Sequence, residues 1–238
     1  MEIIVPAAGI SSRFPGMRPK YLLRDINGEM MIKKSIEPYM NYKITVGILQ
    51  DHVSIFNAKS ELEKEFQNKI KIVVIPKLSK GPADTVFQII NIGKISQDSP
   101  ILIKDCDSYF QHKILDGNYV AITRAEDHKI LLKLASKSFI VTNEQGIVTD
   151  IIEKRVISDK FCVGGYKFDS VKLFIDNYKK ISKNTEELFV SHVIEECLSR
   201  GHIFVENLVT DYYDVGTLEE WEKFNKDLNS QMPKQLIL

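Results

Sequence analysis

The chain has 238 residues, enough to bury a sizeable core in one large domain or two small ones. Lys+Arg and Asp+Glu each number 32, so the formal net charge is zero and the basic excess usual in nucleic-acid binders is missing. With 44% hydrophobic and 27% charged residues and no long apolar run, the composition is that of an ordinary globular protein rather than a bilayer-spanning one.

Cys106, Cys162 and Cys197 lie far apart and form no CxxC pair, so neither a disulfide framework nor a zinc site is signalled, and free thiols in a reducing compartment are expected. The opening "MEIIVPAAG" carries no basic leader and no long apolar core. No signal peptide is therefore expected, and the expected location is cytoplasmic.

In chain order, short β-branched runs recur: "EIIVPA", "KITVGIL", "IKIVVIP", "PILIKD" and "YVAIT". Helix-like segments separate several of them: "MMIKKSIEPYM", "SELEKEFQN" and "DTVFQIINIGK". Buried continuous runs alternating with amphipathic segments predict a parallel sheet with helices on both faces. The second half differs. "KILLKLA" and "SFIVTNEQGIVTDIIEK" read as antiparallel strands, the latter as a hairpin turning at Asn143 to Gly146. "SVKLFIDNYKKIS" and "ELFVSHVIEECLSRG" read as helices, the second stopped at Gly201. A terminal helix follows Thr217, with Glu220 completing a capping box. The charged run "KSELEKEFQNK" reads as a solvated helix face. The expected fold class is α/β, a Rossmann-like mixed, mostly parallel sheet with a small antiparallel subregion. Residues 1–238 are expected to form one domain whose pattern changes after about residue 125.

The first strand ends in Ala7, Ala8 and Gly9, a turn with almost no side-chain bulk. Ligands of open α/β sheets bind beyond the carboxyl ends of strands, and small residues there let backbone N–H groups approach an anion. Arg13 adds a rigid fork of donors and Lys20 a mobile point charge, with Pro19 stiffening the approach. That arrangement suits a polyphosphate. It is neither GxGxxG, since Ser11 stands where a second glycine would be, nor GxxxxGK[ST]. Asp105 and Asp107 follow an apolar strand as D-x-D, and alternation puts both on one side of an extended chain. Carboxylates so placed suit a hard cation such as magnesium, which bridges substrate phosphates. The five histidines show no ligand spacing. Ser191 and His192 are adjacent on a helix and face different ways, which argues against a nucleophilic pair.

The stretch "AAGISSRF…RPKYLL" resembles the signature loop of the sugar nucleotidyltransferases, or nucleotide-diphosphate-sugar pyrophosphorylases, roughly LAAGxGTR followed by PK and an apolar pair. Ala8, Gly9, Arg13, Pro19 and Lys20 match, while Ser11 and Ser12 replace Gly-Thr. The resemblance continues in order through "SKGPADTV", "ILIKDCDSYF", "IIEKR", "VGGYKF" and "YYDVGTLEEW", nearly the whole chain. Arg155 stands where the family's V-E-K-P has proline, and Gly164 departs from its N-x-G-I-Y pattern.

The resemblance implies transfer of an NMP group from an NTP to a sugar phosphate or related phosphorylated acceptor, with release of pyrophosphate. It implies catalytic roles for Arg13, Lys20 and Asp107, and Mg2+ held by Asp107 and Asp214. Nucleotide binding would fall to Ala7, Ala8, Gly9, Ser11, Ser12, Gln50, Gly81, Pro82, Asp84 and Thr85. Acceptor binding would fall to Asp105, Glu153, Lys154, Gly164, Gly165 and Tyr166, with Lys154 neutralising the acceptor's phosphate. Whether Asp105 or Asp107 is the principal metal ligand stays open, as do the base and the acceptor. The implied role is precursor supply for capsule, lipopolysaccharide or cell wall, by a stand-alone enzyme without an appended acyltransferase domain. The expected partners are small molecules, neither nucleic acid nor membrane, and a homodimer is compatible with this reading. Two alternatives remain at this point: a metal-dependent glycosyltransferase using a nucleotide-sugar donor, and a non-catalytic nucleotide-binding module.

Overall fold

The computed structural model describes residues 1–125, 134–181 and 187–231. The strands are β1 (Glu2–Ala7), β2 (Lys43–Leu49), β3 (Lys71–Ile75), β4 (Ile101–Lys104), β5 (Ser108–Gln111), β6 (Tyr119–Arg124), β7 (Ser138–Thr142), β8 (Val148–Glu153), β9 (Lys160–Phe168), β10 (Val205–Leu208) and β11 (Thr210–Asp214). The α-helices are α1 (Met31–Ile36), α2 (Gln50–Phe56), α3 (Ala58–Glu65), α4 (Pro82–Gly93), α5 (Val171–Tyr178), α6 (Val190–Ser199) and α7 (Leu218–Gln231).

The apolar runs are buried on both faces of one sheet. Ile4 belongs to a core shared with α4, α5 and α6, while its neighbours Ile3 and Val5 belong to a second core with α1 and α3. The main path of the sheet is β10-β6-β9-β4-β1-β2-β3. Strands β4, β1, β2 and β3 are mutually parallel, as the alternating pattern predicts. Strand β9 runs antiparallel between β4 and β6. Its "VGGY" segment lacks the β-branched density that marks the other strands, because two side chains are sacrificed for close packing.

The hairpin turning at Asn143 to Gly146 is present as β7 and β8, joined to β9 through Phe139 and Phe161. The expected strand "KILLKLA" falls largely on residues 126–133, outside the described residues. Helices α5 and α6 form where expected, with Gly201 at φ 79° just past the end of α6. Thr217 caps α7 by accepting the Glu220 N–H at 3.2 Å. The charged face of α3 is less solvated than the sequence suggests: Glu61 meets Arg18 at 2.6 Å, and Glu65 meets Arg24 at 2.8 Å and Lys33 at 3.1 Å. These pairs tie the long loop after β1 to the sheet's flank.

Gly81 joins the two halves of the chain. It precedes α4 at φ 132°, and a Cβ there would sit 2.6 Å from the Leu188 carbonyl oxygen and 2.8 Å from its nitrogen. The contact is so close because the Leu188 N–H donates to the Lys80 carbonyl at 2.7 Å and the Ala83 N–H donates to the Leu188 carbonyl at 3.0 Å. Gly81→Ala should therefore lower unfolding free energy by about 1–3 kcal/mol from backbone strain, plus the clash. Urea unfolding checks this; an unchanged midpoint would show that the stitch can part without cost.

Candidate active site

The small-residue turn lies at the carboxyl end of β1, with Ala7 and Ala8 buried and Gly9, Ser12 and Arg13 exposed. Ser11, at the position where the family motif has glycine, adopts φ 54°. Its hydroxyl accepts the Lys20 N–H at 3.0 Å, which offsets the cost of a left-handed non-glycine residue and ties the start of the loop to its end. Phe14 is buried in a cluster with Val215, Trp221 and Phe224. That cluster draws the loop after β1 against the far end of the chain, and is the reason Asp214 reaches the same place as Arg13. Arg18, anchored on Glu61, fixes the approach to Lys20.

Lys20 forms an ion pair with Asp107. On the other side of the acidic cluster, Lys137 forms one with Asp214. The two carboxylates converge on Gly216, whose added Cβ would lie 2.9 Å from Asp107 Oδ2 and 3.0 Å from Asp214 Oδ1. Backbone pairing enforces this: β11 runs antiparallel to β5 with Asp214 opposite Ser108, and the Val215 N–H donates to the Asp107 carbonyl at 3.0 Å. Burial would raise the Asp107 carboxyl, but the adjacent Lys20 ammonium overrides it and holds the group at about 2. Asp105 lines the same cleft beside that pair. It packs against Gly164, which has φ +85° and no room for a Cβ beside the carboxylate. Burial, reinforced by the Asp107 charge, pushes Asp105 up to about 6.

Beneath this turn lies a buried cation that sequence reading passed over. Lys104 Nζ donates to the Asp105 carbonyl at 2.8 Å, the Ser108 carbonyl at 2.6 Å, Ser108 Oγ at 2.9 Å and Ser35 Oγ at 2.9 Å. Ser35 donates in turn to the Asp105 carbonyl at 2.7 Å. Burial lowers this lysine to about 8, so it stays largely charged at neutral pH and holds the acidic turn from below.

In the second half of the chain, Glu153 Oε2 accepts from both Ser138 and Ser191, the latter at 2.5 Å. Tyr166 is buried behind them. Gly165 lets Phe110 and Ala121 pack against β9, each 2.9 Å from where its Cβ would be. Lys154 is exposed; it pairs with Glu187 at 3.1 Å and lies over the Phe189 ring at 4.2 Å. In the first half of the chain, exposed Gln50 opens α2 beyond the carboxyl end of β2. The Asp84 carboxylate is committed to the Lys80 N–H at 2.8 Å and the Tyr178 hydroxyl at 2.6 Å. Buried Thr85 donates to the Gly81 carbonyl at 3.1 Å. Both residues shape the Gly81 loop.

A cleft of roughly 150 Å³ joins these groups. Of the residues singled out from sequence, Arg13, Pro82, Asp105 and Asp107 line it from the first half, and Glu153, Gly164, Tyr166 and Asp214 from the second. Lys137, Ser138 and Ser191 line it as well. The family model for nucleotidyl transferases matches residues 16–231. The chain belongs to the nucleotidyl transferase family.

Solved structures share the transferase's fold at low identity. A nucleoside-diphosphate-sugar pyrophosphorylase from Vibrio cholerae aligns with TM-score 0.80 and 17% identity, over 94% of this chain and 99% of its own. An inositol-1-phosphate CTP transferase from T. maritima aligns with TM-score 0.73 and 15% identity, over 98% and 97%. A UTP-bound UGPase from Acinetobacter baumannii aligns with TM-score 0.71 and 15% identity, over 98% and 94%. A search of the curated proteins gives no match.

The paired carboxylates of the transferase suit a hard divalent cation such as Mg2+ or Mn2+. Two carboxylates meet at Gly216, and the described residues contain no cluster of three or more His, Cys, Asp or Glu side chains able to form an all-protein cage. Magnesium is ordinarily held by one or two carboxylates together with substrate phosphates. Lys104, Lys137, Ser138 and Ser191 were not legible as site residues. The β7–β8 hairpin brings Lys137 and Ser138 to the acids, and the packing of α6 brings Ser191 to Glu153. A lysine and a serine flanking D-x-D were the only signal available for Lys104.

Arg13 lines the cleft and has no ion-pair partner among the described residues. Arg13→Ala should weaken NTP binding and turnover while shifting stability by less than about 0.5 kcal/mol. Calorimetric titration of NTP alongside thermal melting checks both; a large drop in melting temperature would make Arg13 structural.

Proposed function

We propose that this transferase moves an NMP group from an NTP to a sugar phosphate or related phosphate monoester, releasing pyrophosphate. The observation that carries the reading is the meeting of Asp107 and Asp214 at Gly216, flanked by Lys20 and Lys137, beyond the small-residue turn of β1.

A phosphate monoester is already a nucleophile, so the reaction requires no general base; the protein positions the reactants and offsets charge. The acceptor's phosphate oxygen attacks the α-phosphorus in line, opposite the departing pyrophosphate. Arg13 holds the β- and γ-phosphates with its planar fork. Lys20 moves from Asp107 to the α-phosphate and opposes the charge that develops there. Asp107 and Asp214 would hold Mg2+, which when bound neutralises phosphate charge and orients both reactants. Gln50 and the Gly81–Asp84 loop face the base and ribose, and Glu153 accepts hydrogen bonds from acceptor hydroxyls. Residues 1–125 serve mainly the nucleotide and 126–238 mainly the acceptor. No helix among the described residues is long and apolar enough to cross a membrane. NTP donors are cytoplasmic metabolites, so the reading includes a cytoplasmic enzyme supplying precursors for capsule, lipopolysaccharide or cell wall.

A matrix of NTPs against phosphorylated acceptors, read by pyrophosphate release, tests the proposal. Release that depends on both partners and on Mg2+ supports it; release from no pair refutes it. Lys20→Ala should lower kcat more than it raises the KM for NTP, because its contact strengthens as charge develops. Raised KM with unchanged kcat would leave Lys20 a binding group only. Asp107→Ala and Asp214→Ala should each remove most activity, and the double variant should lose little more, since either loss already misplaces the cation. Additive losses in steady-state kinetics would mean that the two acids act separately.

A further inference from the structure

We propose that Lys137, rather than Lys154, is the lysine that receives the acceptor's phosphate group. The inference rests on the function proposed above.

Four carboxylates line the cleft: Asp105, Asp107, Glu153 and Asp214. A phosphate dianion entering it needs cations to offset them. Arg13 and Lys20 both come from the turn after β1, on the nucleotide side. Among the described residues lining the cleft, Lys137 is the cation contributed by the acceptor side. The backbones of the two candidate lysines touch, since the Lys154 N–H donates to the Lys137 carbonyl at 3.0 Å. Their ammonium groups end in different places. Lys154 pairs with Glu187 at 3.1 Å and lies over the Phe189 ring, which lines the cleft, but is not itself part of the cleft wall. Lys137 reaches in to Asp214.

The residue after Lys137 is Ser138, which donates to Glu153, the carboxylate placed to accept acceptor hydroxyls. Lys137 therefore stands between the paired acids and the sugar-side acid, where a phosphate monoester must lie for its oxygen to face the α-phosphorus. Its position mirrors that of Lys20. Each lysine holds one of the two converging acids, and each can transfer to a phosphate oxygen when its acid turns to a cation. A lysine suits this task better than an arginine, because one mobile point charge can leave a carboxylate for a phosphate without a matched fork.

The test is steady-state pyrophosphate release with glucose 1-phosphate, inositol 1-phosphate and glycerol 3-phosphate as acceptors, comparing wild type with Lys137→Met, Lys137→Arg and Lys154→Ala. Methionine keeps the stem and removes the charge. Lys137→Met should raise the acceptor KM about ten-fold or more, as expected for loss of a charge-assisted contact, and leave the NTP KM within about two-fold. Its half-saturating Mg2+ concentration should stay the same or fall, because a competing cation has left Asp214. Lys137→Arg should recover part of the acceptor affinity. A raised Mg2+ requirement with unchanged acceptor KM would make Lys137 only a support for Asp214 and overturn the inference, as would a larger rise of acceptor KM in Lys154→Ala.

A second readout does not depend on a folded variant. In wild type held with Mg2+ and a non-hydrolysable NTP, the preferred acceptor of the three should slow acetylation of the Lys137 amine, measured by mass spectrometry; no protection overturns the inference. Wild type that releases pyrophosphate while these signatures are missing fails this inference alone. Wild type that releases none with any NTP fails the proposed function and this inference with it.

Discussion

Like charge is the governing constraint of this site. Asp107 and Asp214 converge on one glycine, with Asp105 beside them, in a partly buried cleft. Carboxylates so placed repel each other and resist burial. The fold answers with three lysines. Lys104 holds the turn carrying Asp105 and Asp107 from beneath, Lys20 pairs with Asp107 and Lys137 with Asp214. The supporting lysine is buried and locked by several oxygens. The two flanking ones are partly exposed, at 26% and 24% of their side-chain area, and so can exchange partners. One part of the charge balance is thus fixed by burial, and the other is the part that passes to substrate phosphates in the proposed mechanism.

The convergence of distant segments follows from two devices. The β5–β11 ribbon sets Asp214 opposite Ser108, and the Phe14 cluster holds the loop after β1 against α7. Neither device contributes a reacting group. A transferase that works by positioning needs them all the same, because a small misplacement of charge costs much of the rate. The Gly81 stitch to Leu188 serves the same end next to Pro82 and Phe189, which line the cleft.

The parallel strands and their helices were legible because each carries a strong, continuous period. Strand β9 was not, since Gly164 and Gly165 look like a turn until their neighbours are known: Asp105 presses on one, and Phe110 and Ala121 on the other. Within the site, the small-residue turn, Arg13, Lys20 and the D-x-D acids could be read locally. Ser11 showed only as a departure; its φ of 54° and its hydroxyl bond to the Lys20 backbone give that departure a physical reason. Lys154 and Lys137 mark the limit of the local view. A lysine next to Glu153 looks poised for the acceptor, and its ammonium pairs with Glu187 over the Phe189 ring at the edge of the cleft. Lys137, in an unremarkable stretch, reaches in because a β-hairpin and a distant aspartate orient it.

In the proposed mechanism Asp107 and Asp214 form a single cation site completed by the nucleotide. Mn2+ binding followed by electron paramagnetic resonance tests it most directly. One tightly bound Mn2+ per chain is expected in the presence of NTP, lost in Asp107→Asn and equally in Asp214→Asn, but retained in Asp105→Asn. Unchanged Mn2+ binding in either of the first two variants, or its loss only in Asp105→Asn, would contradict the account.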